Sequence, residues 1–203
     1  MNVDALVLAG GKSRRMGGTH KGNLKLGEET FQEIVIREFT KIADQIFLSY
    51  GVTVQGEDAR CQILMDEIPD CGPLGGLVSG LKHGNQEFTA VSPCDLPFMK
   101  ASFYECLKNN LSGCEEETGH VYKGVVPVTE GRIHPLTALY RKSALEDFER
   151  ELMEGHLKVT RVVEAMDVVF LDLTGNQEMC QMLKNINTPE DYEGMVSGME
   201  VER

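Results

Sequence analysis

No run of about eighteen apolar residues occurs anywhere in this chain of 203 residues, which excludes an ordinary membrane-spanning helix. Met1-Asn2-Val3-Asp4 carries no positive charge and opens no apolar stretch of secretory length, so a cytoplasmic protein without a membrane partner is expected. The six cysteines (Cys61, Cys71, Cys94, Cys106, Cys114, Cys180) form no C-x-x-C pair and have no histidine at ligand spacing. A zinc ribbon is thereby excluded, and reduced thiols are expected. Positive charge is scarce as well. With 20 Lys and Arg against 32 Asp and Glu, the net charge of −12 excludes an extended nucleic-acid interface, whose affinity rests on many cations releasing counterions. Several familiar signatures are also missing. A Walker A loop ending at Lys12-Ser13 would need glycine where Leu6 stands, and the first loop holds no G-x-G-x-x-G. Neither H-E-x-x-H nor G-x-S-x-G occurs, so zinc proteolysis and α/β-hydrolase chemistry have no foothold.

One local absence is the most informative. From Ala5 to Gly27 there is no acidic residue, although the chain as a whole is acidic. That window holds Lys12, Arg14, Arg15, Lys21 and Lys25, and glycines 10, 11, 17 and 18 lie directly behind the apolar run Ala5 to Ala9. Glycines let backbone N–H groups approach a ligand closely, and lysine and arginine neutralise a polyphosphate. An anionic ligand would relieve the mutual repulsion of these cations. A solvated basic loop is the plainer alternative.

Apolar runs of strand length recur at Ala5 to Ala9, Ile46 to Ser49, Ile63 to Met65, Thr89 to Ser92 and Val125 to Val128. Helix-period stretches alternate with them at Phe31 to Phe39, Pro73 to His83 and Ala101 to Asn110. Strand, helix, strand in succession predicts an α/β fold, a Rossmann-like, mostly parallel sheet covered on both faces. Val121 to Val128 and Leu136 to Arg141 flank the turn Glu130-Gly131-Arg132, which adds a small antiparallel part in the second half. Glu115-Glu116-Glu117, bounded by Gly113 and Gly119, reads as a solvated loop. The length fits one domain over 1–203, able to bury roughly 70% of its unfolded surface.

Ligands in such sheets bind beyond the carboxyl ends of the strands, where strand order reverses. That rule selects the glycine loop, Asp66 after the third run, and Pro93-Cys94-Asp95-Leu96-Pro97 after the fourth. Asp95, held at a strand tip by Pro97, suits Mg2+, which takes one or two carboxylates and fills its shell with water and phosphate. Taken alone, such an aspartate is more often a turn-former or helix cap. Asp66 could accept from a ribose hydroxyl or cap a loop. Gly72, Gly75 and Gly76 leave room for a flat base or for tight helix packing, with Pro73 expected at the first helical position.

Gly10-Gly11-x-Ser13-x-Arg15-Met16-Gly17 and Lys21, Gly72-Pro73-Leu74-x-Gly76, Pro93-Cys94-Asp95-x-Pro97, His134-Pro135, and Asn185-x-Asn187-Thr188-Pro189-Glu190 follow one another in the chain. In this order they resemble the molybdenum cofactor guanylyltransferases, over residues 8 to about 192. The first motif is shared with other nucleotidyltransferases; the set is narrower. The resemblance implies a three-layer nucleotidyltransferase fold with a nucleotide-binding N-terminal half and an acceptor-binding C-terminal half. It implies transfer of GMP from Mg2+-GTP to the terminal phosphate of molybdenum-molybdopterin. It further implies that Leu8, Ala9, Gly10, Gly11, Lys21, Ser49, Asp66 and Asp95 meet the nucleotide. Asp95 would hold Mg2+, with Arg15 and Lys21 as catalytic cations. Asn185, Asn187 and His134 would lie on the acceptor side, although His134 also reads as a residue preceding a proline in a turn. Thr188, Pro189 and Asp191 have an ordinary role as a helix start. Other proteins of cofactor biosynthesis and target molybdoenzymes are implied as partners.

Two positions depart from the family pattern. His20 stands where an acid is usual, and Ser49 where an asparagine is expected to contact the nucleotide. A related transferase using CTP or acting on a sugar phosphate, and a nucleotide-binding regulator without turnover, therefore stay open.

Overall fold

The computed structural model describes residues 2–10, 21–51, 54, 56, 58–66, 68, 70–186 and 191–194, with Lys21 described by its backbone. Strand β1 (Val3–Leu8) is buried at every position, because helices cover both of its faces. Its odd residues Val3, Ala5 and Val7 join one apolar cluster and Leu6 and Leu8 the other. Strict alternation is not required of such a strand, which explains the continuous apolar run.

A small ribbon, β2 (Lys25–Leu26) with β3 (Glu29–Thr30), turns through Gly27 at φ +67° and leads into helix α1 (Phe31–Phe39). Thr30 Oγ1 accepts from Glu33 N–H, and the Glu33 carboxylate accepts from Thr30 N–H, a reciprocal cap. The Thr30 N–H and, less strongly, the Thr30 hydroxyl donate to the Glu33 carboxylate and hold that carboxyl below its usual range. Next come β4 (Ile46–Ser49), β5 (Gln62–Leu64), α2 (Gly72–His83), β6 (Phe88–Pro93) and α3 (Ala101–Thr118). The remainder is β7 (Gly124–Thr129), β8 (Arg132–Ile133), β9 (Ala138–Arg141), α4 (Leu145–Met153), α5 (Val159–Ala165), β10 (Val169–Asp172) and α6 (Gln177–Met182).

The main sheet has the order β10-β7-β9-β6-β1-β4-β5, with β8 paired to β7. Along this path β9 alone runs antiparallel, to β6 on one side and β7 on the other. The chain builds β1, β4 and β5 in one direction and then crosses to place β6 on the other side of β1. Strand order reverses between β1 and β6, the place at which a ligand is expected in such sheets. Residues of α1, α3 and α6 pack in one cluster, and those of α2, α4 and α5 in the other. The result is the expected three-layer α/β architecture. Among the described residues, no helix is long and apolar enough to cross a membrane.

Several expectations need correction. Glu115-Glu116-Glu117 is helical, since α3 runs on to Thr118 and stops where Gly119 adopts φ +68°. Glutamate is a good helix former, and Glu115 accepts from Tyr122 N–H and from Arg141, which fastens that last turn to the sheet. Strand β5 ends one residue earlier than expected, at Leu64, because its neighbour β4 stops at Ser49 and offers Met65 no ladder partner. Helix α2 begins at Gly72, so Pro73 is its second residue rather than its first. Beyond Arg141, α4, α5, β10 and α6 complete the layers where the sequence shows little regular pattern.

Candidate active site at the strand tips

The tip of β1 is fastened on both sides. Ala9 N–H donates to Ser49 O (2.8 Å), and Cys94 N–H donates to Leu8 O (3.1 Å). The glycine loop therefore leaves the sheet between the ends of β4 and β6. Gly10 lets the two segments approach closely there, since a Cβ on it would lie 3.0 Å from the Tyr50 carbonyl carbon and 3.1 Å from its oxygen.

On the β4 side, Ser49 is buried and its hydroxyl reaches the Asp66 carboxylate at 3.4 Å. Asp66 N–H donates to Gly51 O (2.9 Å), and Gly51 makes that turn at φ +75°. Burial pushes the Asp66 carboxyl up, with the Ser49 bond opposing it. The first turn of α2 lies close by: a Cβ on Gly75 would sit 2.9 Å from Asp66 Oδ2, and one on Gly76 would sit 2.7 Å from a Leu8 methyl and 2.8 Å from Ser49 Oγ. These glycines thus let α2 pack closely on the strand tips. Gly72 has a separate reason, its φ of +58°.

On the β6 side, Asp95 follows the Leu8 contact by one residue and is half-buried. Leu96 behind it is fully buried and fixes the loop. Asn185 Nδ2 donates to Asp95 Oδ1 at 2.7 Å, and Ile186 N–H donates to Asp95 O at 3.3 Å. Two residues singled out separately in the sequence are thus in direct contact. Nothing in the sequence signals that pairing, because the partners are ninety positions apart.

His134 lies on the same edge but further along it. Register places Ala138 opposite Val91, so the segment before β9 runs past the carboxyl end of β6. His134 N–H donates to Pro127 O (2.9 Å), and its Nε2 hydrogen-bonds Thr129 Oγ1 (2.7 Å). Burial, with a smaller contribution from Arg132, lowers its pKa to about 4, so the imidazole is neutral at pH 7. Gly11, Arg15, Asn187 and the side chain of Lys21 fall outside the described residues. Gly51 and Tyr50 were not singled out from the sequence; the only signal was a glycine just past an apolar run.

Two other clusters are poorer candidates. A groove of about 280 Å3 lies between α1, the loop after Asp95 and α6, but its cations are matched. Arg37 pairs with Glu29 and Glu38, and Lys100 with Glu178. Glu151, Glu154 and His156 gather at the end of α4, with His156 Nδ1 hydrogen-bonded to Glu151 (3.1 Å) and 3.3 Å from Glu154.

Two acids at strand tips flanking the end of β1 and a reversal of strand order form the geometry with which known proteins can be compared. Residues 5–169 match the family described as MobA-like NTP transferase domain. The chain belongs to that family. A probable molybdenum cofactor guanylyltransferase of Methanosarcina mazei is 30% identical over 207 residues, spanning 95% of this chain and 89% of the relative. One of Clostridium perfringens is 30% identical over 203 residues, spanning 97% and 98%. In fold, the chain is similar to molybdopterin-guanine dinucleotide biosynthesis protein A of Archaeoglobus fulgidus, with TM-score 0.76, 22% identity, and coverage of 97% and 98%. A 2-C-methyl-D-erythritol 4-phosphate cytidylyltransferase of Thermus thermophilus shares the fold at TM-score 0.67 and 13% identity, covering 96% and 98%. As a member of the MobA-like family this protein is a nucleotidyltransferase.

Proposed function

We propose that this nucleotidyltransferase transfers GMP from Mg2+-GTP to the terminal phosphate of molybdenum-molybdopterin and releases pyrophosphate. The bond from the Cys94 amide to the Leu8 carbonyl carries the reading, because it sets Asp95 beside the end of β1, from which the glycine segment continues. The names of the relatives at 30% identity support the base and the acceptor.

The acceptor phosphate oxygen attacks the α-phosphorus of GTP, the bond from that phosphorus to the bridging oxygen breaks, and pyrophosphate departs with the electron pair. A phosphate monoester has its second pKa near 6, so at neutral pH the attacking oxygen is already largely anionic and needs no general base. The barrier lies in bringing anions together in line, which calls for positioning and charge neutralisation. Leu8, Ala9, Gly10 and Gly11 present backbone groups to the nucleotide, and Arg15 and Lys21 offset phosphate charge. Ser49 and Asp66 face it from the β4 side. Asp95, a hard oxygen donor beside the end of β1, fits Mg2+, which when bound supplies Lewis-acid neutralisation of the phosphates. Asn187 and His134 belong to the acceptor side, where a neutral imidazole can hydrogen-bond without adding charge.

The test is a single turnover assay. Purified protein with α-labelled GTP, Mg2+ and metal-charged molybdopterin is expected to form labelled dinucleotide, and Asp95→Ala to lose about a hundredfold or more in rate with its fold intact. Faster pyrophosphate release with CTP, ATP or UTP than with GTP would overturn the assignment of the base.

A further inference from the structure

We infer that Asn185 is a positioning residue that works through Asp95, holding the carboxylate in the orientation needed to take a divalent cation, rather than a residue that binds the acceptor. The inference rests on the proposed role of Asp95. Its own support is the contact itself: Asn185 Nδ2 stands 2.7 Å from Asp95 Oδ1. An ionised carboxylate only accepts, so the atom of Asn185 that faces it must be the NH2 group. The NH2 is no ligand for a hard cation, so at this contact Asn185 supplies a hydrogen bond to the acid. The contact therefore orients the acid.

The neighbouring chain makes the hold rigid. Ile186 N–H donates to the Asp95 carbonyl at 3.3 Å, so adjacent residues grip both the side chain and the backbone of Asp95. Leu183 and Ile186, on either side of Asn185, are 5% and 1% exposed and anchor the segment in the core. Helix α6 is thereby tied to the tip of β6. Groups that hydrogen-bond a metal ligand typically control affinity by about ten- to a hundredfold.

Asn185→Leu keeps the size of the side chain and removes its N–H; Asn185→His restores an N–H at similar reach. Mn2+ serves as the spectroscopic probe, titrated by electron paramagnetic resonance against protein loaded with a non-hydrolysable GTP analogue. Expected for Asn185→Leu is an affinity for Mn2+ about tenfold or more weaker, with excess Mg2+ restoring kcat and the KM for the acceptor unchanged. Asn185→His is expected to recover part of the loss. An unchanged Mn2+ affinity in Asn185→Leu, or a KM effect on the acceptor alone, overturns the inference. Asp95→Ala, measured beside it, separates the two layers. If Asp95→Ala also binds Mn2+ like the wild type, the role of Asp95 itself fails; if only Asn185→Leu is unaffected, the positioning role alone fails.

Discussion

Glycines at three positions show how one residue type can be demanded by opposite circumstances. Gly76 and Gly80 face β1, and a Cβ there would lie 2.7 Å and 2.5 Å from methyls of Leu8 and Leu6, both deep in the core. Gly113, in the middle of α3, meets nothing within 4 Å. Gly76→Ala and Gly80→Ala should therefore each destabilise by about 1–3 kcal/mol through overpacking, whereas Gly113→Ala should stabilise by about 0.5–1 kcal/mol through lower backbone entropy in the unfolded chain. Urea denaturation of the three variants checks both signs. His134 provides a second test at this scale. Its folded pKa of about 4 lies below its unfolded value near 6.5, so the unfolded state binds the extra proton first. Its contribution is complete above pH 6.5 and is lost as pH falls toward 4. The stability of His134→Gln should decline less than that of the wild type across that window, measured as urea midpoints at fixed pH.

Among the elements, the helix ends depend on side chains from elsewhere in the chain. Lys142 reaches the carboxyl end of α2, donating to the carbonyls of Leu81, Lys82 (3.1 Å) and Gly84 (2.6 Å). Lys142→Met leaves those carbonyls without their cation and should cost about 1–3 kcal/mol in urea denaturation. At the other end of the problem, α3 has no capping side chain of its own; Glu38 from α1 accepts from Ala101 N–H at 3.1 Å. Burial of Glu38 raises its pKa, but Lys41, Ala101 N–H and Arg37 together outweigh it and leave the carboxyl below its usual range. Local caps such as Thr30 with Glu33 are legible in sequence because their partners are three residues apart. Lys142 and Glu38 are not, since their partners lie about sixty residues away. The same difference explains Glu115 to Glu117. Read locally they form a charged run between glycines, whereas Arg141 and Tyr122 draw Glu115 into the fold.

For the whole molecule, the chain itself determined the α/β class, the glycine loop and the two acids at strand ends. Apolar runs separated by helix-period stretches bury their surface well in only a few layered arrangements. Only the tertiary structure decided that β9 lies antiparallel between β6 and β7, that α2 needs its glycines for contact with β1, and that Asn185 meets Asp95. Each of these depends on which distant segments become neighbours. Periodicity reports which face of an element is buried; it carries no information about what will cover that face, and in this protein residues in contact lie as far as 167 positions apart.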